Sequence, residues 1–143
     1  MSDDEKLETV VSSRAPEAVG AFPHAKRVGN LLFLSGMGPR KRGTTEIPGV
    51  TFGPDREVVA HDIEAQCRSV FDNVRTVLED AGSSWDRIVD VTVFLTDMKQ
   101  DFSTFNRIYA EYFVDNQPSR TTVEVGALPT PIAVELKVVA TVD

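Results

Sequence analysis

Two charged side chains near the C-terminus are the best candidates for chemistry. Arg120 lies in the segment 118–125 and Glu135 in the segment 132–140. Both segments are rich in β-branched residues and bounded by prolines, which predicts strands. A guanidinium near a carboxylate, both on rigid strands, could anchor a small carboxylic acid. A structural ion pair or two solvated side chains would give the same pattern, and the pattern taken alone favours that plainer interpretation.

The two predicted strands differ in the character of their faces, since successive side chains of a strand point to opposite sides. One face of the last strand is apolar throughout and consists of Ile132, Val134, Leu136, Val138, Ala140 and Val142. The other face is mixed and contains Glu135. We expect Arg120 of the preceding strand to share this mixed face. The sequence thus predicts one core face and one face that carries both charged residues.

Other kinds of catalytic site find little support in the sequence. His24, His61 and the single cysteine, Cys67, have no close metal-ligand spacing, so we expect no metal ion. Gly36 and Gly38 are followed by a proline and basic residues, unlike a dinucleotide or phosphate loop, and we expect no cofactor. Cys67 falls in an apolar helical stripe, which is typical of a small core residue rather than a nucleophile. What remains is a site that holds an anion and helps a water molecule.

Composition narrows the class of protein further. The chain has 143 residues and a formal charge of −7, which predicts one domain and no nucleic-acid partner. The basic run 40–42 is more typical of a solvated loop than of a phosphate site. With one cysteine, no apolar leader and no apolar run of about 20 residues, we expect a soluble cytoplasmic protein without a membrane partner. We expect residues 1–12 to be flexible and residues 13–143 to form the domain.

Apolar periodicity predicts a first helix over about 62–81. His61 or Asp62 could cap its start, and Gly82 is the expected stop. After a turn at 98–100, Asp101 is expected to cap a second helix that runs to about Asp115. Its buried side is predicted to hold Phe102, Phe105, Tyr109, Tyr112 and Phe113. Asn106 lies beside this stripe, where an amide is more often a surface group than a pocket contact.

Strands are predicted over 24–28 and 31–35, joined by a two-residue turn, and over 88–95. The stretch 39–60 is irregular and predicts a loop that borders a site, with one short strand near 50–52. The order β-β-α-β-α-β-β predicts an α+β fold, a single-domain mixed sheet with two helices packed on one face. The second face is half apolar and needs a cover. We expect that cover to be another copy of the chain, which would place a site between subunits.

As an ordered set, several short motifs resemble the Rid family of reactive intermediate deaminases, also called YjgF. They are Ser35-Gly36, Asp101-Phe102 with Asn106, Pro118-Ser119-Arg120 and Val134-Glu135. The resemblance covers nearly the whole chain from about residue 12. It implies a chorismate mutase-like fold and a homotrimer with sites between subunits. It also implies hydrolysis of amino acid enamines and imines to oxo acids and ammonia, although some members have been described as ribonucleases or translation inhibitors.

The resemblance also implies roles for single residues. Arg120 would bind the substrate carboxylate and Glu135 would handle the attacking water. Ser35, Gly36 and Asn106 would lie around the pocket.

The chain departs from the commonest members at several positions. Phe22 stands where many have tyrosine, and Thr122 stands where many have cysteine; we count both among the substrate-binding candidates. The segment after Gly36 is longer and basic, which is more similar to the 2-aminomuconate deaminase branch. Arg40 or Arg42 could bind a second carboxylate. His24 could carry a proton, contact that carboxylate, or simply be a polar residue at a strand start.

We therefore expect a metal-free hydrolytic deaminase, with 2-aminomuconate as substrate and 4-oxalocrotonate and ammonia as products, in aromatic-compound degradation. A broad-range 2-imino or enamino acid deaminase of the general Rid type is one alternative. A non-catalytic trimer that binds small ligands is another. A ribonuclease is a third, and the charge of −7 argues against it.

Overall fold

The computed structural model describes residues 7–143, which form a six-stranded sheet, a separate hairpin and two helices. The strands are β1 Leu7–Val10, β2 Ala25–Val28, β3 Leu31–Leu34, β4 Val50–Phe52, β5 Val58–His61, β6 Ile88–Leu95, β7 Ser119–Glu124 and β8 Val134–Thr141, and the helices are α1 Ile63–Asp80 and α2 Met98–Tyr112. The sheet order is β1-β2-β3-β8-β6-β7, and β4 pairs with β5. All neighbours are antiparallel except β6 and β7.

Both helices pack on one face of the sheet, which confirms the predicted α+β arrangement. The alternate residues of β8 from Val134 to Ala140 are fully buried under them, as the alternation predicted. Phe71 of α1 and Phe105 of α2 are also fully buried and contact each other. Burial of these side chains supplies most of the driving force for folding. No helix among residues 7–143 has both the length and the apolar character needed to cross a membrane.

The first helix follows its prediction. The Asp62 side chain accepts a hydrogen bond from the backbone N–H of Ala65 at 3.1 Å, which satisfies one of the free donors at the helix start. The helix ends at Asp80. Gly82 has a φ of +84°, a conformation that glycine adopts without strain, so it stops the helix as expected.

The second helix begins earlier than predicted. Asp97, not Asp101, is its cap, and its carboxylate accepts from the N–H of Gln100 at 3.1 Å. Residues 98–100 are therefore helical rather than a turn. Asp101 lies in the first turn and is only 4% exposed. The helix ends at Tyr112, three residues before the predicted end.

Two strands were missed in the sequence. Residues 7–10 were expected to be flexible, yet they pair with β2 along its outer edge, where unpaired backbone groups are available. Residues 1–6 of the expected flexible segment lie outside the described residues. In the stretch 39–60 the short strand near 50–52 is present, and 58–61 pairs with it. The turn between them contains Arg56 at a φ of +65°, which the sequence pattern did not indicate.

One prediction about the faces of the sheet is wrong. Arg120 pairs with Val91 of β6, which is fully buried under the helices, so Arg120 lies on the helix face. Glu135 pairs with Phe94 and lies on the open face. Alternation within each strand was predicted correctly, but register between strands decides which faces coincide, and alternation does not give it.

The open face of the sheet is half apolar, as predicted. Leu31 is 41% exposed, Phe33 37% and Val123 37%. Lys137 lies on the same face as Glu135 and is half-buried. No element among the described residues covers this face.

Candidate functional site

A cavity of about 160 Å³ opens beside Glu135. Three segments meet there: the lead-in before β2, the turn after β3 and the loop before β8. Its lining residues are Pro16, Ala18, Val19, Phe22, Pro23, His24, Ser35, Gly36, Met37, Gly38, Arg40, Pro129, Thr130, Ile132 and Glu135. Of the sequence-predicted site residues, Glu135, His24, Phe22, Ser35, Gly36 and Arg40 lie in this cavity.

Glu135 provides the ionisable group of the cavity. It is half-buried on β8, and within residues 7–143 its carboxylate has no hydrogen-bond partner. Burial raises the pKa of Glu135 above its ordinary value. A carboxyl group with a raised pKa can give and take a proton closer to neutral pH, as a general acid and base must.

Gly36 permits the close approach of backbone and carboxylate. A Cβ atom at this position would lie 2.4 Å from Oε2 of Glu135 and 3.0 Å from its Cδ. The chain is held there because Met37 rejoins the sheet beside Leu136. The Met37 N–H donates to the Leu136 carbonyl at 2.8 Å, and the Leu136 N–H donates back at 3.0 Å. Only glycine fits without moving the carboxylate.

Ser35 links the turn to the lead-in segment. Its hydroxyl donates to the Pro23 carbonyl at 2.7 Å, and its N–H donates to the His24 carbonyl at 3.0 Å. The hydroxyl oxygen keeps acceptor capacity toward the cavity.

His24 lines the cavity, and the hydrogen bonds of its ring favour the structural alternative over the role of proton carrier. Its Nδ1 accepts from the backbone N–H of Ser12 at 3.0 Å. Its Nε2 lies 2.7 Å from the Pro16 carbonyl, which fixes Nε2 as the protonated nitrogen. Both ring nitrogens are thus held by backbone groups, and the side chain is buried. These two bonds hold the lead-in segment that forms one wall of the cavity.

The two arginines of the basic run have different surroundings. Arg40 lines the cavity, and its Nη2 donates to the carbonyl of Glu17. Arg42 donates through Nη1 to the carbonyl of Ala15 at 2.8 Å and lines no part of the cavity. Of the two candidates for a second cation, Arg40 lines this cavity and Arg42 does not.

Arg120 lies in a second concave surface, at the edge of the sheet beside α2. Its Nε donates to Oγ1 of Thr122 at 2.8 Å, and its Nη2 donates to Oδ1 of Asn106 at 2.6 Å. The guanidinium carbon lies 4.6 Å from the centre of the Tyr109 ring and 5.2 Å from that of Phe105. Burial lowers the pKa of Arg120, although its very high ordinary value keeps it charged.

Some residues of the cavity beside Glu135 and of the concave surface around Arg120 were not predicted from the sequence as site residues. Tyr109 was predicted only as a core residue, but its ring supports Arg120, and its buried hydroxyl has no partner among the described residues. Thr130 and Ile132 line the cavity, although the proline-rich stretch around them signalled only the start of a strand.

Cys67 is fully buried, and burial raises its pKa to about 12, as suits the predicted core role. No group of three or more possible metal ligands occurs in residues 7–143.

Comparison with known proteins gives consistent matches over almost the whole chain. The family described as Endoribonuclease L-PSP matches residues 12–142. A RutC family protein of Sulfurisphaera tokodaii is 40% identical over 133 residues, 93% of this chain and 97% of that protein. The chloroplastic Reactive Intermediate Deaminase A of Arabidopsis thaliana is 34% identical over 136 residues, 95% of this chain and 66% of that protein. The crystal structure of E. coli TdcF with bound serine has a TM-score of 0.81 at 30% identity, covering 95% of this chain and 99% of that one.

Proposed function

The chain belongs to the Endoribonuclease L-PSP family, also known as the Rid or YjgF family, and on that premise we propose that it is a hydrolytic deaminase. Its substrate would be the enamine or imine of an amino acid, and its products a 2-oxo acid and ammonia. The observation that carries this proposal is Glu135, a carboxyl group with a raised pKa that faces a cavity and has no hydrogen-bond partner among residues 7–143. The deaminase among the relatives supports the same class of reaction.

We propose that the complete site forms between two copies of the chain in a closed homotrimer. Arg120 and Glu135 lie on opposite faces of the sheet and in separate concave surfaces, so one protomer presents two half-sites. The half-apolar open face that carries Glu135 supports a cover by another copy. Arg120 of one copy would then bind the substrate carboxylate while Glu135 of its neighbour faces the reacting carbon.

The reaction needs only a positioned acid and base. The enamine first tautomerises to the imine by moving a proton from nitrogen to carbon. Glu135 takes a proton from water as the oxygen bonds to C2 and passes that proton to the imine nitrogen, which gives the carbinolamine. Glu135 then takes the hydroxyl proton and passes it to the same nitrogen as the C–N bond breaks, so that ammonia leaves, the carbonyl forms and the carboxylate is regenerated. One positioned group of this kind contributes roughly 10²–10⁴-fold to the rate, and fixed geometry adds further acceleration.

A dicarboxylic substrate, 2-aminomuconate with 4-oxalocrotonate as product, is the second candidate. The observation in its favour is the guanidinium of Arg40, which lines the same cavity as Glu135. A second carboxylate placed there would gain a charge-assisted hydrogen bond. Arg40 could keep its hydrogen bond to the Glu17 carbonyl and still have N–H donors for that carboxylate, since a guanidinium has five donors.

The experiment that separates the candidates measures ammonia release and ultraviolet absorbance with two freshly generated substrates, a 2-aminoacrylate-type imine and 2-aminomuconate. Fast turnover of the first establishes the general deaminase. A strong preference for the second supports the dicarboxylate, and Arg40→Gln should then raise its KM at least several-fold. Lys41→Gln is the matched control, because Lys41 is exposed and lines no part of the cavity. Binding of oxo acids without turnover of either substrate would favour a binding protein instead.

A further inference from the structure

We propose that Thr122 is a positioning residue that, together with Asn106, fixes the edge of Arg120 to which a substrate carboxylate binds. The structure assigns the carboxylate to the terminal edge of the guanidinium, formed by Nη1 and Nη2. The lateral edge, formed by Nε and Nη2, is not open to it. This inference rests on the proposed function and specifies how that site holds its substrate.

The count of donors carries the argument. A guanidinium has five N–H donors, one on Nε and two on each Nη. The single hydrogen on Nε is donated to Oγ1 of Thr122 at 2.8 Å, and one hydrogen of Nη2 is donated to Oδ1 of Asn106 at 2.6 Å. Within residues 7–143 these are the hydrogen bonds of the Arg120 side chain, so five donors minus two leaves three, namely both on Nη1 and one on Nη2. A two-pronged carboxylate contact needs one donor from each of two adjacent nitrogens. With Nε occupied, the pair Nη1 and Nη2 is what remains.

The surroundings of Arg120 hold the guanidinium in this orientation. Thr122 lies two residues further along β7, so its hydroxyl is on the same face and carried by the same strand. Asn106 belongs to α2, so the guanidinium is tied to two separate elements. The guanidinium also lies over the ring of Tyr109, with its carbon 4.6 Å from the ring centre. A group held this way loses little conformational freedom when a ligand binds.

Thr122 does not act by direct contact with the substrate. Its side-chain oxygen already accepts from Arg120, so it acts on the carboxylate through Arg120. If Thr122 is replaced by valine, a side chain of nearly the same shape, Nε loses its partner and the guanidinium can rotate. Because a hydrogen bond to a charged group is a strong one, its loss should raise KM about tenfold and change kcat much less. Thr122→Ser keeps the acceptor and should retain most of the affinity.

The test compares wild type, Thr122→Val and Thr122→Ser in steady-state deamination and in calorimetric binding of 2-oxobutanoate, a product-class monocarboxylate. Thr104→Val, on the neighbouring helix, controls for loss of a threonine hydroxyl, because Arg120 donates to Thr122 and Asn106 rather than to Thr104. Nitrogen NMR of the Arg120 Nε–H gives a readout independent of catalysis, because its proton should exchange faster only in Thr122→Val.

The expected result is weaker 2-oxobutanoate binding and raised KM in Thr122→Val, rescue in Thr122→Ser, and unchanged values in Thr104→Val. Unchanged KM and affinity in a folded, active Thr122→Val would overturn the positioning role and leave the deaminase proposal standing. Equal loss in the valine and serine variants would also overturn it, since serine keeps the acceptor. A wild-type protein that neither releases ammonia nor binds 2-oxobutanoate would instead overturn the proposed function.

Discussion

Arg120 and Glu135 lie on opposite faces of one β-sheet, although both were expected on the same face. Arg120 is in register with Val91 on the helix face, whereas Glu135 is in register with Phe94 on the open face. A substrate small enough to be an amino acid derivative cannot contact both groups of one protomer through a packed sheet. If both residues serve one reaction, they must come from different copies.

Mixed oligomers test this relationship directly. Arg120→Lys and Glu135→Gln should each be nearly inactive, because lysine lacks the two-pronged geometry and glutamine cannot exchange a proton. In trimers formed at random from both variants, a site needs an intact Arg120 from one subunit and an intact Glu135 from the next. Each occurs with a probability of one half, so about one quarter of the sites should be restored.

The measurement is ammonia release after the two variants are co-expressed, with native mass spectrometry to verify mixing. Each variant mixed with itself is the control and should show no recovery. Verified mixed trimers that remain as inactive as their parents would refute a site shared between subunits.

Gly36→Ala should lower activity with little loss of stability. The new Cβ would meet the end of the flexible Glu135 side chain, which can swing away at small energetic cost but then leaves its position. We expect kcat to fall by at least about tenfold, in keeping with the usual contribution of a positioned acid–base group. Steady-state kinetics and thermal unfolding measured side by side check this.

Gly126→Ala is the matched control, since a Cβ there meets no atom of the described residues within 4 Å. Full activity in Gly36→Ala would show that the carboxylate need not lie against the backbone.

Glu135 should also make stability depend on pH. Burial raises its pKa in the folded state, so the folded protein binds this proton more tightly than the unfolded chain does. Its contribution to stability is therefore fully present below the unfolded pKa and is lost as pH rises through the folded pKa. Glu135→Gln should accordingly be more stable than wild type at neutral pH and gain little in acid, measured as the free energy of unfolding in urea.

The same group should give the acid limb of the rate profile. In wild type, kcat/KM should fall as the pH is lowered through an apparent pKa above the ordinary value of about 4.3 for glutamate, because a protonated Glu135 cannot take a proton from water. Wild type and Glu135→Gln with equal stability at neutral pH would contradict the burial of the charge, whatever their activities.

Local structure was predicted well from the sequence because interactions within a few residues determine it. The first helix, its cap at Asp62 and its stop at Gly82 follow from side-chain chemistry within a few residues. The apolar face of β8 follows from alternation alone. Resemblance to a family then supplied the ordered set of site residues, of which Glu135 and Gly36 prove to be in contact distance.

Relations between distant elements could not be predicted in the same way. The face of the sheet on which Arg120 lies depends on the register between β7 and β6, which side-chain alternation does not determine. The cap of α2 was misplaced because both Asp97 and Asp101 precede an apolar run, and only the hydrogen bond to Gln100 distinguishes them. The hydrogen bonds of His24 could not be predicted because its partners are backbone groups, whose positions residue types do not reveal.

His24→Leu tests whether His24 is a structural residue or a proton carrier. Leucine would leave the N–H of Ser12 and the carbonyl of Pro16 without their buried partner, and each unpaired buried group costs roughly 1–3 kcal/mol. We expect lower stability by about 2 kcal/mol or more and a raised KM, because Pro16 lines the cavity. Urea unfolding and steady-state kinetics of the folded variant measure both, with His61→Leu as a histidine control outside the cavity. A collapse of kcat at unchanged stability would instead support His24 as the proton carrier, since only a chemical role would leave the fold untouched.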